Sequence, residues 1–564
     1  MVQVDRVTPP APRDANRTRS RNLHRVTPRP RRHHVRRYNT DVEISLETRE
    51  FIRTHRDDDV RDLALHAKAG DDVDLTTALE QIDGWQRART KLPEWAAHDD
   101  IIYPPHLSME QCSSQTTALY KTAVAQRLAA QRLVAQRPVT QRLTAQRAGR
   151  DGKPNATNDT PDDETARTAA TGTNTPTTDT NTTDTVTTLI DLTGGFGVDF
   201  SYMARAFTRG VYVERQGALC EIARHNTAVL GLGDVTMVNT DATDYLMRMD
   251  ADGTTDDATS HATPDATSHA TPGATSHATS GVTLDATNDP ASTMIFIDPA
   301  RRDAHGGRTY AIADCTPDVL ALKDVMLERA AIVMVKLSPM LDWRKAVRDL
   351  GGSSTVREVH IVSTGNECKE LLIVLGRADA GDDGTGHDNA DFDTNDDPRG
   401  RIRMYCVNDG DVVDYLVGDD LNDTIAYADA DTPRYVFEPN ASIMKAGCFA
   451  LIERRYGVRQ IGPNSHLFVS ELPVADFPGR GFAVDAMTGM GKRELKTALG
   501  GVTHANIATR NFPMTVAALR KKLRLKDGGD TYIFATTDAR RRHVLLVTRK
   551  MPADQGGAAA PHWS

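Results

Sequence analysis

The sequence predicts an α/β protein built around a doubly wound, mainly parallel sheet. Residues 189–200 read Leu-Ile-Asp-Leu-Thr-Gly-Gly-Phe-Gly-Val-Asp-Phe, an apolar run that turns through clustered glycines into a helical pattern. Short β-branched runs then alternate with helical patterns up to residue 375, which is typical of parallel strands joined by helices. The last two runs, 356–362 and 370–375, lie too close in sequence for a helical crossover, so they must pair antiparallel.

Composition limits the class of protein. The 564 residues suffice for several domains, but only 39% are hydrophobic and 5% aromatic, which indicates that polar tracts dilute the folded parts. A net charge of −9 argues against a general nucleic-acid binder, so any basic surface must be local. Six scattered cysteines predict reduced thiols in a cytoplasmic protein. No apolar run approaches the roughly 20 residues that a membrane-spanning helix needs, so no membrane partner is expected.

The amino-terminal part divides into three segments. Residues 1–40 hold eleven Arg and two Asp without an apolar period, which predicts a disordered basic arm that either contacts RNA or stays solvated. Residues 41–122 show helical spacing and predict a helical domain, in which the Ser113–Thr117 run either lines a site or caps a helix. From 123 to 186 a five-residue Ala-Gln-Arg repeat and a Thr/Asn/Asp-rich stretch predict a low-complexity linker, because five is not a helical period.

The predicted catalytic domain spans residues 187–377 and contains a low-complexity insertion at 251–291. Histidines recur every eight residues in that insertion without a cysteine or carboxylate cluster, so no metal site is predicted. An Asp-rich stretch at 378–400 predicts a disordered acidic loop.

An antiparallel final hairpin on a doubly wound sheet is the architecture of class I methyltransferases. The strand candidates are 188–192, 210–214, 234–238, 293–297, 331–336, 357–362 and 370–375, and the helical patterns are 198–207, 216–230, 314–330 and 341–349.

The glycine spacing indicates the ligand. A dinucleotide fingerprint that starts at Gly195 would need glycine at position 200, where the chain has Phe200. The Asp-x-x-Gly-Gly-x-Gly form is more typical of sites for S-adenosylmethionine (SAM), although a glycine-rich tight turn is the simpler alternative. Glu214 ends the second strand, where a carboxylate can accept hydrogen bonds from ribose hydroxyls. Asp241 follows the third strand and either accepts from the adenine amino group or caps a helix. The predicted cofactor-binding residues are Asp191, Thr193, Gly194, Gly195, Gly197, Glu214 and Asp241.

A second polar turn follows the fourth strand. There Asp298 can orient or deprotonate an acceptor nitrogen, and Pro299 fixes the turn that presents it. Arg301 and Arg302 can hold a phosphate or a substrate base, with ion pairing to a nearby aspartate as the alternative. The predicted catalytic residues are therefore Asp298, Pro299 and Arg301, with Arg302 in a substrate-binding role.

These motifs carry a family resemblance. Asp191–Asp199, Val211–Arg215, Asp298–Asp303, Lys336–Met340 and Asn366–Leu371 resemble the bacterial class I SAM-dependent methyltransferases that have a carboxyl-terminal THUMP-like domain. Residues 51–121 and the Glu438–Gly447 stretch are also similar to that family. The resemblance implies a Rossmann-like methyltransferase sheet, SAM bound at Asp191, Gly194, Gly195, Gly197 and Glu214, and Asp298 at the transfer site. Asp298-Pro-Ala-Arg departs from the Asp/Asn-Pro-Pro-Tyr/Phe motif of amino-methyltransferases, which leaves the acceptor atom open.

The carboxyl-terminal part is expected to be α+β. By the resemblance, residues 401–485 form a ferredoxin-like domain and residues 486–552 a THUMP-like domain, followed by a disordered tail at 553–564. The pattern at 515–526 predicts an amphipathic helix whose cations Lys521, Lys522 and Arg524 either grip an RNA backbone or form an ordinary solvated face.

Together these features predict a cytoplasmic SAM-dependent methyltransferase that acts on RNA, with tRNA or rRNA as the favoured substrates. Two alternatives stay open. One is methylation of DNA or of a small molecule, and the other is a non-catalytic RNA-binding protein that keeps the methyltransferase scaffold. A dehydrogenase is disfavoured by Phe200 and by the final hairpin.

Overall fold

The computed structural model describes residues 44–67, 70, 72–136, 186–249, 289–301, 312–377, 402–419, 424–429 and 432–551. The expected basic arm, acidic loop and tail lie outside these residues, as do Arg302, most of the linker and most of the 251–291 insertion. Within the described part, no helix is long and apolar enough to cross a membrane.

The amino-terminal domain is helical, as the sequence predicts. Its first three helices each begin at a Ser or Asp whose side chain accepts a backbone N–H of the first turn, the usual way of satisfying these orphan donors. Its helices are α1 (Leu46–His55), α2 (Val60–His66), α3 (Leu75–Lys91), α4 (Pro93–Ala96), α5 (His106–Gln111) and α6 (Gln115–Gln136).

Helix α6 corrects one prediction. The sequence predicts a linker from residue 123, yet the helix continues to Gln136. Val124, Ala125 and Leu128 are buried in the hydrophobic cluster on one face of the main sheet. Ala, Gln, Leu and Arg are also strong helix formers, so the five-residue repeat does not prevent a helix where tertiary packing covers one side.

The main sheet contains the predicted strands and confirms that the last two pair antiparallel. Its strands run β11-β10-β8-β9-β7-β4-β1-β2-β3, with parallel neighbours from β3 to β7 and with β9 antiparallel to both β7 and β8. The strands are β1 (Thr188–Asp191), β2 (Arg209–Val213), β3 (Val235–Val238), β4 (Thr293–Ile297), β7 (Ile332–Leu337), β8 (Val356–Thr364), β9 (Glu367–Gly376), β10 (Arg403–Asn408) and β11 (Asp411–Leu416), while β5 (Ala300–Arg301) and β6 (Cys315–Thr316) form a separate ribbon.

Two boundaries differ from expectation. The β8–β9 hairpin turns on Gly365 and Asn366 alone, so residues 367–369, which lie between the two predicted strands, belong to β9. Strands β10 and β11 join the main sheet through β8, although the family resemblance implies that they belong to the ferredoxin-like domain. Met404, Cys406 and Val413 are buried in the core of the main sheet, which explains why this segment pairs there.

Helices cover both faces of the main sheet, because successive strand residues point to opposite sides. One face carries α6, α7 (Val198–Met203) and α8 (Gly217–Val229), whose apolar side chains share a cluster with Leu189 and Tyr212. The other face carries α9 (Ala242–Arg248), α10 (Val319–Arg329) and α11 (Trp343–Asp349), packed with Ile190 and Val211. Helices α12 (Ala441–Ala446) and α13 (Phe449–Tyr456) share this second core.

A buried chain of hydrogen bonds ties α6 to β8. The Tyr120 hydroxyl lies 2.7 Å from Nδ1 of His360, whose Nε2 lies 3.0 Å from Glu358, and Glu358 also accepts from Arg127. Burial lowers the pKa of His360, so a neutral ring donates from Nε2 and accepts at Nδ1. Burial alone would raise the pKa of Glu358, but the hydrogen bonds from His360 and Arg127 lower it to about 2.

The carboxyl-terminal region forms a second sheet of order β13-β14-β12-β15-β18-β17-β16. Helices α14 (Lys492–Ala498) and α15 (Val516–Leu523) share one apolar cluster with its strands through Leu495, Leu519 and Leu545. The strands are β12 (Tyr435–Pro439), β13 (Arg459–Gln460), β14 (Phe468–Ser470), β15 (Gly479–Thr488), β16 (Asn506–Arg510), β17 (Thr531–Thr537) and β18 (His543–Lys550).

Candidate active site

The glycine-rich loop joins β1 to α7. Gly194 donates its N–H to the Val213 carbonyl at 2.9 Å, and Gly197 occupies the N-cap of α7 with φ of 89°. Gly195 also has a positive φ, 56°, a conformation that glycine adopts without a steric penalty. The loop therefore follows a path that other residues would adopt only with strain. It lies at the carboxyl end of the sheet, where α/β proteins bind ligands.

Gly194 is required by a close contact rather than by its backbone angles. A Cβ at this position would lie 2.1 Å from Cε2 of Tyr212. The Tyr212 ring is fully buried, and its hydroxyl donates to the Gly195 carbonyl at 2.5 Å. Tyr212 of β2 thus contacts the loop and fixes the position of its backbone.

Glu214 is held at the end of β2 by two backbone donors. Its Oε2 accepts from the Gly195 N–H at 2.9 Å, and its Oε1 accepts from the Gln216 N–H at 2.8 Å. The Asn239 amide also donates to the Glu214 carbonyl at 2.7 Å. The carboxylate is therefore fixed beside the loop and keeps further acceptor capacity for a ligand hydroxyl.

Asp191 is the last residue of β1, directly before the glycine-rich loop, and is 1% exposed. Its carboxylate accepts the Thr193 N–H at 2.9 Å. Burial raises the pKa of Asp191 well above its usual range, and the negative charges of Asp199, Asp298 and Glu214 add to that rise. Four carboxyl groups thus lie close enough to affect one another, and a cation among them would lower their electrostatic cost.

Thr193 links the loop to the next polar turn. Its hydroxyl accepts the backbone N–H of Asp298 at 2.7 Å, so the tips of β1 and β4 are joined. Asp241 caps α9 by accepting the Thr243 N–H at 2.9 Å, which is one of the two roles that the sequence leaves open. Its contact with adenine remains a prediction.

Asp298 pairs with Lys336, a residue of β7 to which the sequence pattern assigns no role. Oδ2 of Asp298 lies 2.6 Å from Nζ of Lys336, at the end of β7, and the Asp298 side chain is 37% exposed. Pro299 is buried, and Arg301 lies in β5, whose backbone pairs with Cys315. Asp298 thus lies next to the glycine-rich loop, while the roles of Pro299 and Arg301 stay predictions and Arg302 lies outside the described residues.

A buried charge network lies behind Asp298 and is not predicted by the sequence pattern. Lys121, fully buried in α6, contacts both oxygens of Glu370 at 2.7 Å and lies 3.2 Å from Asp199. The Ser113 hydroxyl donates to Asp199 at 2.7 Å and accepts from Lys336 at 3.0 Å. The available signal was polar residues within apolar stretches, since a buried Lys or Glu requires a partner.

The amino-terminal domain also packs on the glycine-rich loop. Phe196 of the loop lies edge-on to Trp95, with ring centroids 4.8 Å apart. Asn226 of α8 accepts from and donates to the backbone of Ile102, at 2.9 and 2.8 Å. The helical domain therefore packs directly against the glycine-rich loop and α8.

The predicted RNA-contacting cations are exposed on and next to α15. Lys521 and Lys522 lie in its last turn, and Arg524 follows at its C-cap with φ of 59°. Among the described residues none of the three forms an ion pair, whereas Arg520 on the same helix is paired with Asp527. Within the described ranges there is also no group of His, Cys, Asp and Glu that could hold a metal ion.

Comparison with protein families identifies two carboxyl-terminal domains. Residues 435–478 match a ferredoxin-like domain, and residues 479–550 match a THUMP domain-like family. The ferredoxin-like match ends at residue 478, just before β15, whereas the expected end of that domain is residue 485. No curated protein sequence matches the chain.

Comparison with solved structures covers nearly the whole chain. A protein assigned as a methyltransferase from Porphyromonas gingivalis W83 shares 26% identity over 90% of this chain and 98% of its own, with a TM-score of 0.61. A SAM-dependent methyltransferase from Agrobacterium tumefaciens aligns over 35% of this chain and 57% of its own at 14% identity, with a TM-score of 0.21. An rRNA methylase from Streptococcus thermophilus aligns over 34% and 87% at 11% identity, also at 0.21. The chain has a class I methyltransferase fold followed by ferredoxin-like and THUMP-like domains.

Proposed function

We propose that the protein is a SAM-dependent methyltransferase whose substrate is RNA, with tRNA or rRNA favoured. The observation that carries the cofactor assignment is the cluster of carboxylates around the glycine-rich loop. Asp191 and Glu214 lie beside the loop, and neither forms an ion pair among the described residues, so this edge of the sheet suits a cationic ligand and disfavours the pyrophosphate of a dinucleotide. SAM is a sulfonium that also carries an ammonium group.

The residues present fit that cofactor. Glu214 is fixed by two backbone donors and can accept from ribose hydroxyls. Gly195 and Gly197 adopt positive φ, so the loop backbone can approach a ligand closely. Asp191 can pair with the cationic end, because a cation beside this carboxyl group offsets the burial and the neighbouring charges that raise its pKa.

Bound SAM would supply an electrophilic methyl group. The chain then has to hold the acceptor in line with it, and positioning of this kind accounts for much of the rate. Asp298 is partly exposed and can accept a hydrogen bond from an acceptor N–H or O–H and take up its proton. DNA and small molecules remain alternative acceptors.

The THUMP-like match supports RNA as the substrate, because THUMP domains occur in RNA-modifying enzymes. The exposed cations Lys521, Lys522 and Arg524, unpaired among the described residues, can contact phosphates. By contrast, Arg540, Arg542 and Arg549 of the same domain each pair with a carboxylate.

Calorimetric titration of SAM tests the cofactor assignment. We expect the wild type to bind and an Asp191→Asn/Glu214→Gln variant to lose about tenfold or more in affinity. The control Glu47→Gln/Glu50→Gln removes the same charge from α1 and should bind as the wild type does. Absence of binding by the wild type would leave the RNA-binding scaffold as the better account.

A filter-binding titration of tRNA and rRNA tests the RNA assignment. Alanine at Lys521, Lys522 and Arg524 should weaken binding and reduce the slope of log K against log salt by about one for each phosphate that is no longer neutralised. The control replaces Arg540, Arg542 and Arg549, which removes the same charge from arginines that are already neutralised by acids. Equal affinity of wild type and the first variant would refute this surface.

A further inference from the structure

We propose that Lys336 is the positioning residue of the transfer site: its ammonium fixes the Asp298 carboxylate, and Ser113 of the amino-terminal domain fixes Lys336. The inference rests on the proposed methyltransferase function and assigns the residue that prepares Asp298 for it.

The geometry around Lys336 leaves its ammonium little freedom. Nζ lies 2.6 Å from Asp298 Oδ2, 3.0 Å from Ser113 Oγ and 3.4 Å from Asp199 Oδ2. An ammonium group has three donors, and these three oxygens can take all of them. The Lys336 side chain is 11% exposed, so water cannot readily replace them.

The charge of Lys336 is stable in this setting. Burial alone would lower its pKa, but Asp298 and Asp199 outweigh that effect and raise it well above the usual value. The ammonium therefore stays charged at neutral pH. It holds one oxygen of Asp298, while no described residue donates to the other, Oδ1. Oδ1 is thus the atom available to an acceptor group.

Besides Asp298, two separate parts of the chain support Lys336, the segment before α6 and helix α7. Ser113 precedes α6 and also accepts from Lys121 of that helix, at 3.3 Å. Asp199 lies in the first turn of α7 and accepts a hydrogen bond from the Ser113 hydroxyl. Because the residues before and within α6 complete this arrangement, the helical domain belongs to the transfer site and is more than an attached module.

A mutant cycle separates positioning from a merely structural role. We expect Lys336→Met to lower kcat for methyl transfer from tritiated SAM to RNA about 100-fold, since small misplacement at a reacting centre costs that much. Its KM for SAM should stay within threefold, because in the described part of the chain no hydrogen bond joins Lys336 to residues 193–197 of the glycine-rich loop. In the Asp298→Asn background the same change should cost less than threefold, since Lys336 acts through Asp298.

The control is Lys345→Met, which removes an exposed lysine paired with Asp349 on α11 and should leave kcat unchanged. The proposal would be overturned if the losses in kcat of Lys336→Met and Asp298→Asn multiplied in the double variant. A loss of SAM affinity equal to the loss in kcat would also overturn it.

A readout independent of activity distinguishes this proposal from the proposed function. In a protein labelled with [ζ-¹⁵N]lysine, a buried ammonium should give an observable NH₃⁺ resonance that disappears in Lys336→Met and shifts in Asp298→Asn. A resonance that does not respond to Asp298→Asn refutes the positioning role even if the enzyme is active. A shifted resonance in a protein that transfers no methyl to RNA would refute the proposed substrate and leave the pairing intact.

Discussion

Gly194→Ala tests whether the glycine-rich loop is set by its contact with Tyr212. The new Cβ would lie 2.1, 2.4 and 2.6 Å from three ring carbons, whereas ordinary carbon–carbon contacts lie at about 3.5–4.0 Å. The ring would have to retreat by more than an ångström. It is fully buried and lies edge-on to Phe200, with centroids 5.5 Å apart, so it has little space to do so.

The cost follows from two contributions. Overpacking of a buried site costs about 1–3 kcal/mol, and the displaced ring would lose the hydrogen bond to Gly195, which contributes about 1 kcal/mol. We therefore expect the free energy of unfolding to fall by about 2–4 kcal/mol, with weaker SAM binding because the loop moves.

Urea denaturation and SAM calorimetry measure both effects. The control is Gly233→Ala, whose Cβ would meet nothing within 4 Å and which should change stability by less than about 0.5 kcal/mol. If the Gly194→Ala protein is as stable as the control and binds SAM with unchanged affinity, the contact with Tyr212 does not require glycine at position 194.

Two further predictions concern the buried charges. Lys121→Met should destabilise the protein by about 3–5 kcal/mol because Glu370 loses its partner, and Lys121→Met/Glu370→Met should regain most of it; the exposed Lys369→Met is the urea-denaturation control. Because the pKa values of His360 and Glu358 are lowered in the folded state, stability should fall as pH falls below 6.5 and again below 4.5, the Glu358 part amounting to roughly 3 kcal/mol by pH 2. Urea titrations at stepped pH measure this, and a His360→Gln protein that keeps the slope just below pH 6.5 would contradict the His360 assignment.

The sheet could be predicted because its signals are local. Each buried strand is a short apolar run, and the close spacing of 356–362 and 370–375 leaves only an antiparallel pairing. Phe200 likewise argues against a dinucleotide ligand, because that fingerprint needs glycine at position 200. The structure confirms the hairpin and places Asp191, Glu214 and Asp298 at one edge of the sheet.

The charge network could not be predicted, because its partners are far apart in sequence. Lys121 and Glu370 are separated by 249 positions, and Lys336 and Ser113 by 223. A lysine within an apolar stretch, such as Lys121 or Lys336, indicates burial, but nothing local identifies its partner. The extent of α6 was missed for a related reason, since its residues beyond 122 are helical through packing on the sheet rather than through a clear period.

Methyl transfer itself tests the central claim most directly. Wild-type protein, SAM with a tritiated methyl group and unmodified tRNA and rRNA should give label in RNA, and Asp298→Asn should reduce the rate at least 100-fold while SAM still binds. Label in RNA from the wild type alone would support a methyltransferase that acts through Asp298. A wild type that binds SAM but labels no RNA, or an Asp298→Asn variant as fast as the wild type, would contradict it.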